Sequence, residues 1–291
     1  MMPGSIVLFN AVEIIGLGAI LLVLFTSLFS PSIHRLSSWY MVLGSGVMYS
    51  LSMLILAMAH KQSTSDEVPF VLCLVQSALI YSSPIGLMGS ICIYAVQFHF
   101  SVLFYVKQYS TTLRHDSNWF PVPSLILFLV ITIALLIVGS SQPQIVERSP
   151  EHFYCHFTDN IGVYTVTAFT VVFVIAAVIL IYKSGRILYK HRKFQAHFYQ
   201  QSKGTISNSV LIRLSLFSLL QIFSVGTCIF YILPEIEHFD GLIVYNALMY
   251  NIDVLLLGLN MSIIRAWMFW KKGVQDGSSD REIHIERNDA V

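Results

Sequence analysis

The feature that most constrains this chain is a series of seven apolar stretches, each long enough to cross a lipid bilayer as a helix. A transmembrane helix needs about 20 mostly apolar residues in succession. Only 11% of the 291 residues are charged, against about 25% in soluble domains. The pattern predicts an all-α membrane protein, a bundle of seven transmembrane helices. The predicted spans are residues 6–29, 39–60, 69–105, 120–138, 163–182, 210–233 and 242–268.

The seven spans predict one membrane domain at residues 1–272. Residues 273–291 are polar and mixed in charge, so we expect a disordered cytoplasmic tail. Residues 1–5 contain neither Lys nor Arg, and we expect no cleavable signal peptide and a first span that is retained as an anchor. The formal net charge of +1 gives no basic excess, so we expect membrane lipid as a partner and no nucleic acid.

The orientation of the bundle is predicted from Lys and Arg, which are retained in short cytoplasmic loops. With the N-terminus outside, the outer loops contain only Lys61 and Arg148, and the inner side contains the other 15 of the 17 Lys and Arg residues. We therefore predict an extracellular N-terminus and a cytoplasmic C-terminus. Trp39, Trp119 and Trp267 fall near predicted inner ends, where indole rings favour the lipid headgroups.

Two of the four cysteines lie on the predicted outer side, where a disulfide persists. Cys73 begins the third span, and Cys155 lies in the loop between the fourth and fifth spans. Cys92 lies 19 residues beyond Cys73, about 28 Å further along a helix, and Cys228 lies in the outer half of the sixth span. We predict a Cys73–Cys155 disulfide that ties the outer loop over the bundle as a lid.

A seven-helix bundle tied in this way resembles the rhodopsin-like G-protein-coupled receptors. The segment at 262–272, SIIRAWMFWKK, is similar to the end of the orphan seven-helix receptors of basidiomycete fungi. Those receptors also carry a Tyr-Cys-His segment before the fifth helix, as at 154–156 here. The resemblance implies a plasma-membrane receptor for an unknown small-molecule or peptide ligand that signals to a heterotrimeric G protein. We expect no enzymatic activity, cofactor or metal.

The sequence departs from the switch motifs of that receptor class. Gln97-Phe98-His99 occupies the place of the Asp-Arg-Tyr triplet, and residues 260–264, NMSII, occupy the place of Asn-Pro-x-x-Tyr. Residues 224–227, SVGT, replace the Cys-Trp-x-Pro motif of the sixth helix. The familiar switch residues therefore give no support for G-protein coupling.

Polar groups inside the spans predict a functional or structural network. Glu13 and Asp253 lie within spans, where a carboxylate is costly unless it faces the bundle interior. Tyr250 shares a helix face with Asp253, and Pro84 should kink the third span and free a carbonyl. We interpret Glu13, Pro84, Tyr250 and Asp253 as an intramembrane polar switch. The alternative is a purely structural hydrogen-bond network.

Aromatic and small polar residues in the outer halves of the spans predict a ligand pocket. The alternative is that Tyr and Ser in membrane helices satisfy only the backbone and neighbouring helices. The acidic outer loops favour a cationic or neutral ligand. The predicted ligand-binding residues are Tyr81, Ser83, Tyr94, Tyr164, Thr227, Tyr231, Tyr245 and Asn246, with Thr167 on the same wall.

Residues at the predicted inner ends of the helices are candidates for contact with a cytoplasmic partner. They include the basic loop 183–207, whose alternative role is attraction to anionic lipid. Arg265 has a second interpretation, because it precedes Trp267 and Trp270 and fits a short helix on the membrane surface. The predicted G-protein-facing residues are His99, Lys107, Arg186, Arg213 and Arg265.

Three other functions each require particular residues in the sequence. A retinal pigment needs a Schiff-base Lys in the seventh span, and residues 242–268 contain none. An intramembrane zinc hydrolase needs His and Asp ligands that converge within the spans, whereas His152 and His156 lie in an outer loop. A proton-linked transporter is the stronger rival because it can use Glu13 and Asp253, but Pro84 has no counterpart within the fifth to seventh spans.

Overall fold

In the computed structural model, residues 3–30, 36–62, 68–107, 119–149, 153–198 and 240–259 are described, together with single residues between 216 and 226 and between 263 and 267. This part of the chain folds into helices and one small hairpin. The helices are α1 (Pro3–Phe29), α2 (Ser37–Met58), α3 (Phe70–Lys107), α4 (Val122–Ser141), α5 (Ile161–Phe198) and α6 (Asp240–Gly258). Between α4 and α5 lie a 3-10 turn (Pro143–Ile145) and strands β1 (Val146–Arg148) and β2 (Cys155–Phe157).

Five of these helices, α1 to α5, are long and apolar enough to cross a membrane. The apolar part of α6, Ile243–Gly258, is shorter and belongs to the predicted seventh span. The predicted sixth span, 210–233, lies outside the described residues except for five positions between 216 and 226, whose backbone is helical. The predicted tail, 273–291, also lies outside them. The length and composition of the helices indicate a membrane-embedded protein.

The predicted bounds of the first four spans agree with α1 to α4 to within a few residues. The predicted loop from residue 183 was wrong, because α5 continues as a helix to Phe198. Ser184 and Leu188, one turn apart, are buried on this extension. Hydropathy marks where a chain leaves the hydrocarbon rather than where a helix ends, and Lys and Arg are good helix formers.

Helix α3 lies at the centre of the described bundle. It contacts α2, α4, α5 and both strands, and 67% of its most apolar window is buried against 17% for α4. Helices α1, α4 and α5 expose many large apolar side chains, including Ile15, Val130 and Val172. Because a soluble protein would not expose such faces, they are expected to contact lipid.

Trp39 lies deeper in the fold than the sequence predicted. Its side chain is 4% exposed, and its indole Nε1 donates to the carbonyl of Leu257, 3.0 Å away. Leu257 lies in the last turn of α6, where carbonyls lack helical donors. Trp39 therefore packs inside the protein, whereas Trp119 is strongly exposed. Trp267 donates to the Thr26 hydroxyl over 2.9 Å.

The loop between α4 and α5 contains an antiparallel hairpin that an all-α prediction missed. Val146 pairs with Phe157, and Arg148 pairs with Cys155. Cys155 and Phe157 are buried on either side of a less buried His156, which is the alternation expected of a half-covered strand. The strands have three residues each, too few for a sequence pattern to identify them.

Candidate functional site

A disulfide joins the hairpin to the first turns of α3. Cys73 and Cys155 are bonded, with their Cα atoms 5.2 Å apart, which confirms the predicted pair. The Oε1 atom of Gln76, one turn along α3, accepts from the backbone N–H of Cys155 over 3.1 Å. Its Nε2 donates to the carbonyl of Ser52 on α2, 3.2 Å away. The hairpin is thus bonded directly to α3 and, through Gln76, to α2.

Gln62, just after α2, provides a second anchor for the hairpin. Its Nε2 donates to the carbonyl of Phe153 over 2.9 Å, and its Oε1 accepts from Asn10 Nδ2 on α1 over 2.6 Å. The guanidinium of Arg148 donates to the Gln62 carbonyl. Partial burial lowers the pKa of Arg148 from its usual value, but guanidinium stays charged at neutral pH. Phe153 is fully buried and meets Phe9 edge to face.

A cavity of about 150 Å³ lies between the helices beneath this hairpin. Tyr154, which directly precedes the disulfide Cys155, contributes to its wall. None of the described residues that line it is charged. They are Phe9, Tyr49, Met53, Ile80, Tyr81, Pro84, Tyr154, Val163, Val166, Thr167, Ile243, Asn246 and Tyr250.

Tyrosine rings form much of the cavity wall and are held by neighbouring rings. Tyr49 of α2 and Tyr250 of α6 have ring centroids 4.5 Å apart. Tyr81 of α3 stacks on Phe157 of the hairpin at 5.6 Å. At Gly162, the second residue of α5, a Cβ would lie 2.8 Å from the Tyr81 ring, so the missing side chain leaves room for it. These contacts fix the rings and give the cavity a largely preformed shape.

Several residues that the sequence predicted for a pocket line this cavity. Tyr81 and Asn246 do so, and so does Thr167. Pro84 and Tyr250, which were predicted as parts of a polar switch, line it as well. Phe9, Tyr49 and Tyr154 line it without having been predicted. The signal for Tyr154 was its position beside the disulfide, which brings it over α3.

Four predicted pocket residues lie elsewhere. Tyr164 is 54% exposed on α5, and Tyr94 packs against the central apolar core. Tyr245 does not line the cavity. Successive helical residues are rotated by about 100°, which separates Tyr164 from the lining residue Val163 and Tyr245 from the lining residue Asn246. The remaining two, Thr227 and Tyr231, lie outside the described residues.

Ser83 is the fourth predicted pocket residue that does not line the first cavity. It borders a second cavity of about 380 Å³ between α2, α3 and α4. Its hydroxyl is buried and has no hydrogen-bond partner within the described residues. Met48 and Leu125 border the same cavity and are exposed on the outer surface of the bundle. The cavity therefore adjoins the surface that is expected to contact lipid.

Glu13 belongs to a buried polar cluster that joins α1, α2 and α6. Its Oε2 accepts from Asn251 Nδ2 over 3.3 Å, and Asn251 Oδ1 accepts from the Ser50 hydroxyl over 3.3 Å. Asn251 also donates to the carbonyl of Ala247 over 2.9 Å. The sequence analysis did not single out Asn251, although an amide side chain in an apolar helix indicates a buried hydrogen-bonding residue. Neither Glu13 nor the buried Asp253 lines the cavity.

The residues predicted to face a cytoplasmic partner are only partly described. His99 Nδ1 and the Ser184 hydroxyl of α5 hydrogen bond over 2.8 Å, so His99 joins two helices. Arg186 is exposed on α5, and Lys107 is the last residue of α3. Arg213 and Arg265 lie outside the described residues.

Within the described ranges, no three His, Cys, Asp or Glu side chains lie close enough together to hold a metal ion. No protein-family model matches the chain, and no curated protein sequence matches it. Its function is therefore inferred from the cavity, the hairpin and the helices themselves.

Proposed function

We propose that this protein is a plasma-membrane receptor that senses an extracellular ligand and signals to a heterotrimeric G protein. In this proposal it belongs with the fungal seven-helix receptors that its sequence resembles. It crosses the bilayer seven times, with the N-terminus outside and the C-terminus in the cytoplasm. Residues 1–272 form the receptor domain.

The observation that carries this proposal is the cavity beneath the disulfide-anchored hairpin. Its lining residues come from α1, α2, α3, α5 and α6 as well as from Tyr154. A ligand that fits one packing of these helices better than another shifts the population toward that packing. A cavity that touches so many helices at one end of a bundle is suited to sensing.

Contacts further along α3 offer a route for such a shift. Ile80 and Pro84 line the cavity, and about four turns further along the same helix the Ser38 hydroxyl of α2 donates to Gln97. His99 bonds to α5 two residues later. A change in the tilt of α3 at Pro84 would alter both contacts, at the end of the bundle where the G protein is proposed to bind.

Two observations support the proposed orientation. Disulfides persist on the extracytoplasmic side, and Cys73–Cys155 lies at the end of the bundle that holds the hairpin. The Lys and Arg residues are concentrated, 15 of 17, on the side that the prediction assigns to the cytoplasm. Both observations favour a hairpin that faces outward.

The topology can be tested with epitope tags on intact cells. We expect antibody to label an N-terminal tag without permeabilisation and a C-terminal tag only after it. A tag inserted between α2 and α3, within residues 63–67, should behave like the N-terminal tag. Labelling of both termini on the same side would contradict an odd number of spans.

The signalling function can be tested with the purified chain in lipid nanodiscs. We expect it to accelerate guanine-nucleotide exchange on at least one heterotrimeric G protein from a panel, and His99→Ala to reduce that acceleration. Tyr182→Ala is a matched control, because Tyr182 is exposed on the apolar surface of α5. Absence of exchange on every G protein would overturn the proposal.

A proton-linked transporter is the second candidate, because Glu13 and Asp253 are both buried within helices. Such residues commonly mark proton paths in membrane proteins. Solute uptake by proteoliposomes that depends on a pH gradient, and that Asp253→Asn abolishes, would favour transport. If neither exchange nor uptake is observed, both candidates fail.

A further inference from the structure

The cavity beneath the hairpin has features that select a chemical class of ligand. We propose that it binds a small, uncharged molecule built on a single apolar ring with one hydroxyl group. This inference rests on the proposed function and deepens it, because it names the kind of molecule that the receptor senses.

The described part of the lining carries no charge, which favours an uncharged ligand. None of the described lining residues is Asp, Glu, Lys, Arg or His. The buried acids Glu13 and Asp253 do not line the cavity, and Glu13 accepts a hydrogen bond from Asn251. Transfer of an unpaired ion from water to such surroundings is strongly unfavourable. Of the cationic or neutral ligands that the acidic outer loops favour, the cavity fits the neutral ones.

The volume of the cavity sets the size of the ligand. A cavity of about 150 Å³ is the size of an engineered apolar protein cavity that binds benzene. Tyr49, Tyr81 and Tyr250 offer ring faces and edges, which attract another ring in offset or edge-to-face geometry. A single six-membered ring matches both the space and the walls.

The wall formed by α3 explains why the proposed ligand carries a hydroxyl group. Proline has no N–H, so Pro84 leaves the carbonyl of Ile80 without the donor that would complete its helical turn. Both residues border the cavity. On α5, Thr167 also borders it, and a threonine hydroxyl can donate or accept. A ligand hydroxyl could donate to the Ile80 carbonyl in place of the missing helical donor and gain one hydrogen bond.

The ligand class can be tested by measuring affinities of four matched probes for the full chain in nanodiscs. The probes are phenol, toluene, benzylammonium and benzoate, which share a ring and differ in one substituent. We expect phenol to bind about tenfold more tightly than toluene, which corresponds to about one recovered hydrogen bond. Neither ion should bind measurably. Equal or tighter binding of either ion, or equal binding of phenol and toluene, would overturn the inference.

Substitutions separate binding in this cavity from partition into lipid. Val166→Phe fills the cavity and should abolish binding of both neutral probes, whereas Val172→Phe, on the exposed face of the same helix, should leave both affinities unchanged. Pro84→Ala restores a donor for Ile80, so the preference for phenol over toluene should fall while toluene still binds. If Pro84→Ala does not fold, Thr167→Val can be used instead, and it too should lower the preference for phenol over toluene. If the preference is unchanged in both variants, the proposed hydroxyl contact is wrong.

The binding and signalling results are independent of each other. If the probes bind in the expected order but no G protein is activated, the ligand site stands and the receptor proposal fails. If basal nucleotide exchange is present but no neutral probe binds, the receptor proposal stands and this inference fails.

Discussion

Gly16 lies where α1 passes closest to the Asn251 side chain of α6. A Cβ at Gly16 would overlap the Asn251 amide, whereas a Cβ at Gly18 would meet no atom within 4 Å. The same amide bonds to Glu13 and to Ser50. The absence of one side chain therefore allows the polar cluster that holds a buried carboxylate between three helices.

This close approach predicts the effect of adding one methyl group. Gly16→Ala should destabilise the protein by about 1–3 kcal/mol, as overpacking does in closely packed interiors. Thermal unfolding of the purified protein measures the loss. Gly18→Ala is the matched control, and it should be neutral or slightly stabilising because Ala favours helix over Gly. Equal unfolding temperatures for the two variants would contradict the packing seen here.

Pairs of adjacent residues show that the sequence did not predict which side chains line the cavity. Pro84 lines the cavity beneath the hairpin while Ser83 lines another. Val163 lines the first cavity while Tyr164 is exposed. Residue type alone favoured Ser83 and Tyr164, because both carry polar groups. The rotation of each helix about its axis decided otherwise.

The hairpin is the element whose attachment shapes the site. The disulfide, Gln76 and Gln62 hold it from separate points, and Tyr154 extends from it to the cavity. The bonded cysteines are separated by 82 residues in sequence. A cross-link over so long a loop greatly restricts the unfolded chain.

The disulfide predicts matched losses in two single variants. Cys73→Ser and Cys155→Ser should each destabilise the protein by about 2–4 kcal/mol, and the double variant should be no worse, because either change removes the same bond. Unfolding temperature and surface expression measure both effects. Cys92→Ser is the control, since Cys92 is free. Additive losses in the double variant would argue against the bond.

Helix α5 shows that an element can extend beyond the span it provides. Its apolar stretch ends near Tyr182, but the helix continues to Phe198. His99 of α3 bonds to Ser184 on this extension, and Leu188 joins the central apolar core. Tertiary contacts thus stabilise a segment that hydropathy alone assigned to a loop.

At the scale of the whole molecule, burial is distributed unevenly among the helices. The most apolar window of α3 is 67% buried, against 28%, 17% and 22% for those of α1, α4 and α5. Helix α3 also carries many buried polar residues, such as Gln76, Ser90 and Gln97. Polar groups of this kind need partners that only neighbouring helices provide.

This distribution predicts which helices contact lipid. A photoreactive lipid should attach mainly to exposed apolar residues of α1, α4 and α5, such as Ile15, Val130 and Val172, when adducts are mapped by mass spectrometry. Few adducts should fall between residues 76 and 102 of α3. A water-soluble photoreagent should leave the same apolar faces unlabelled. Lipid adducts concentrated on α3 would contradict the arrangement of the bundle.

The sequence alone determined three things: the apolar helical character of the protein, the bounds of α1 to α4, and the pairing of Cys73 with Cys155. Hydropathy is a local property, and few other pairings of the cysteines were possible. The tertiary structure decided the hairpin, the depth of Trp39, the partners of Glu13 and the membership of the cavity. A helix that is apolar on nearly every side carries no local signal of which face meets lipid and which meets protein, so its rotation depends on how all the helices pack together.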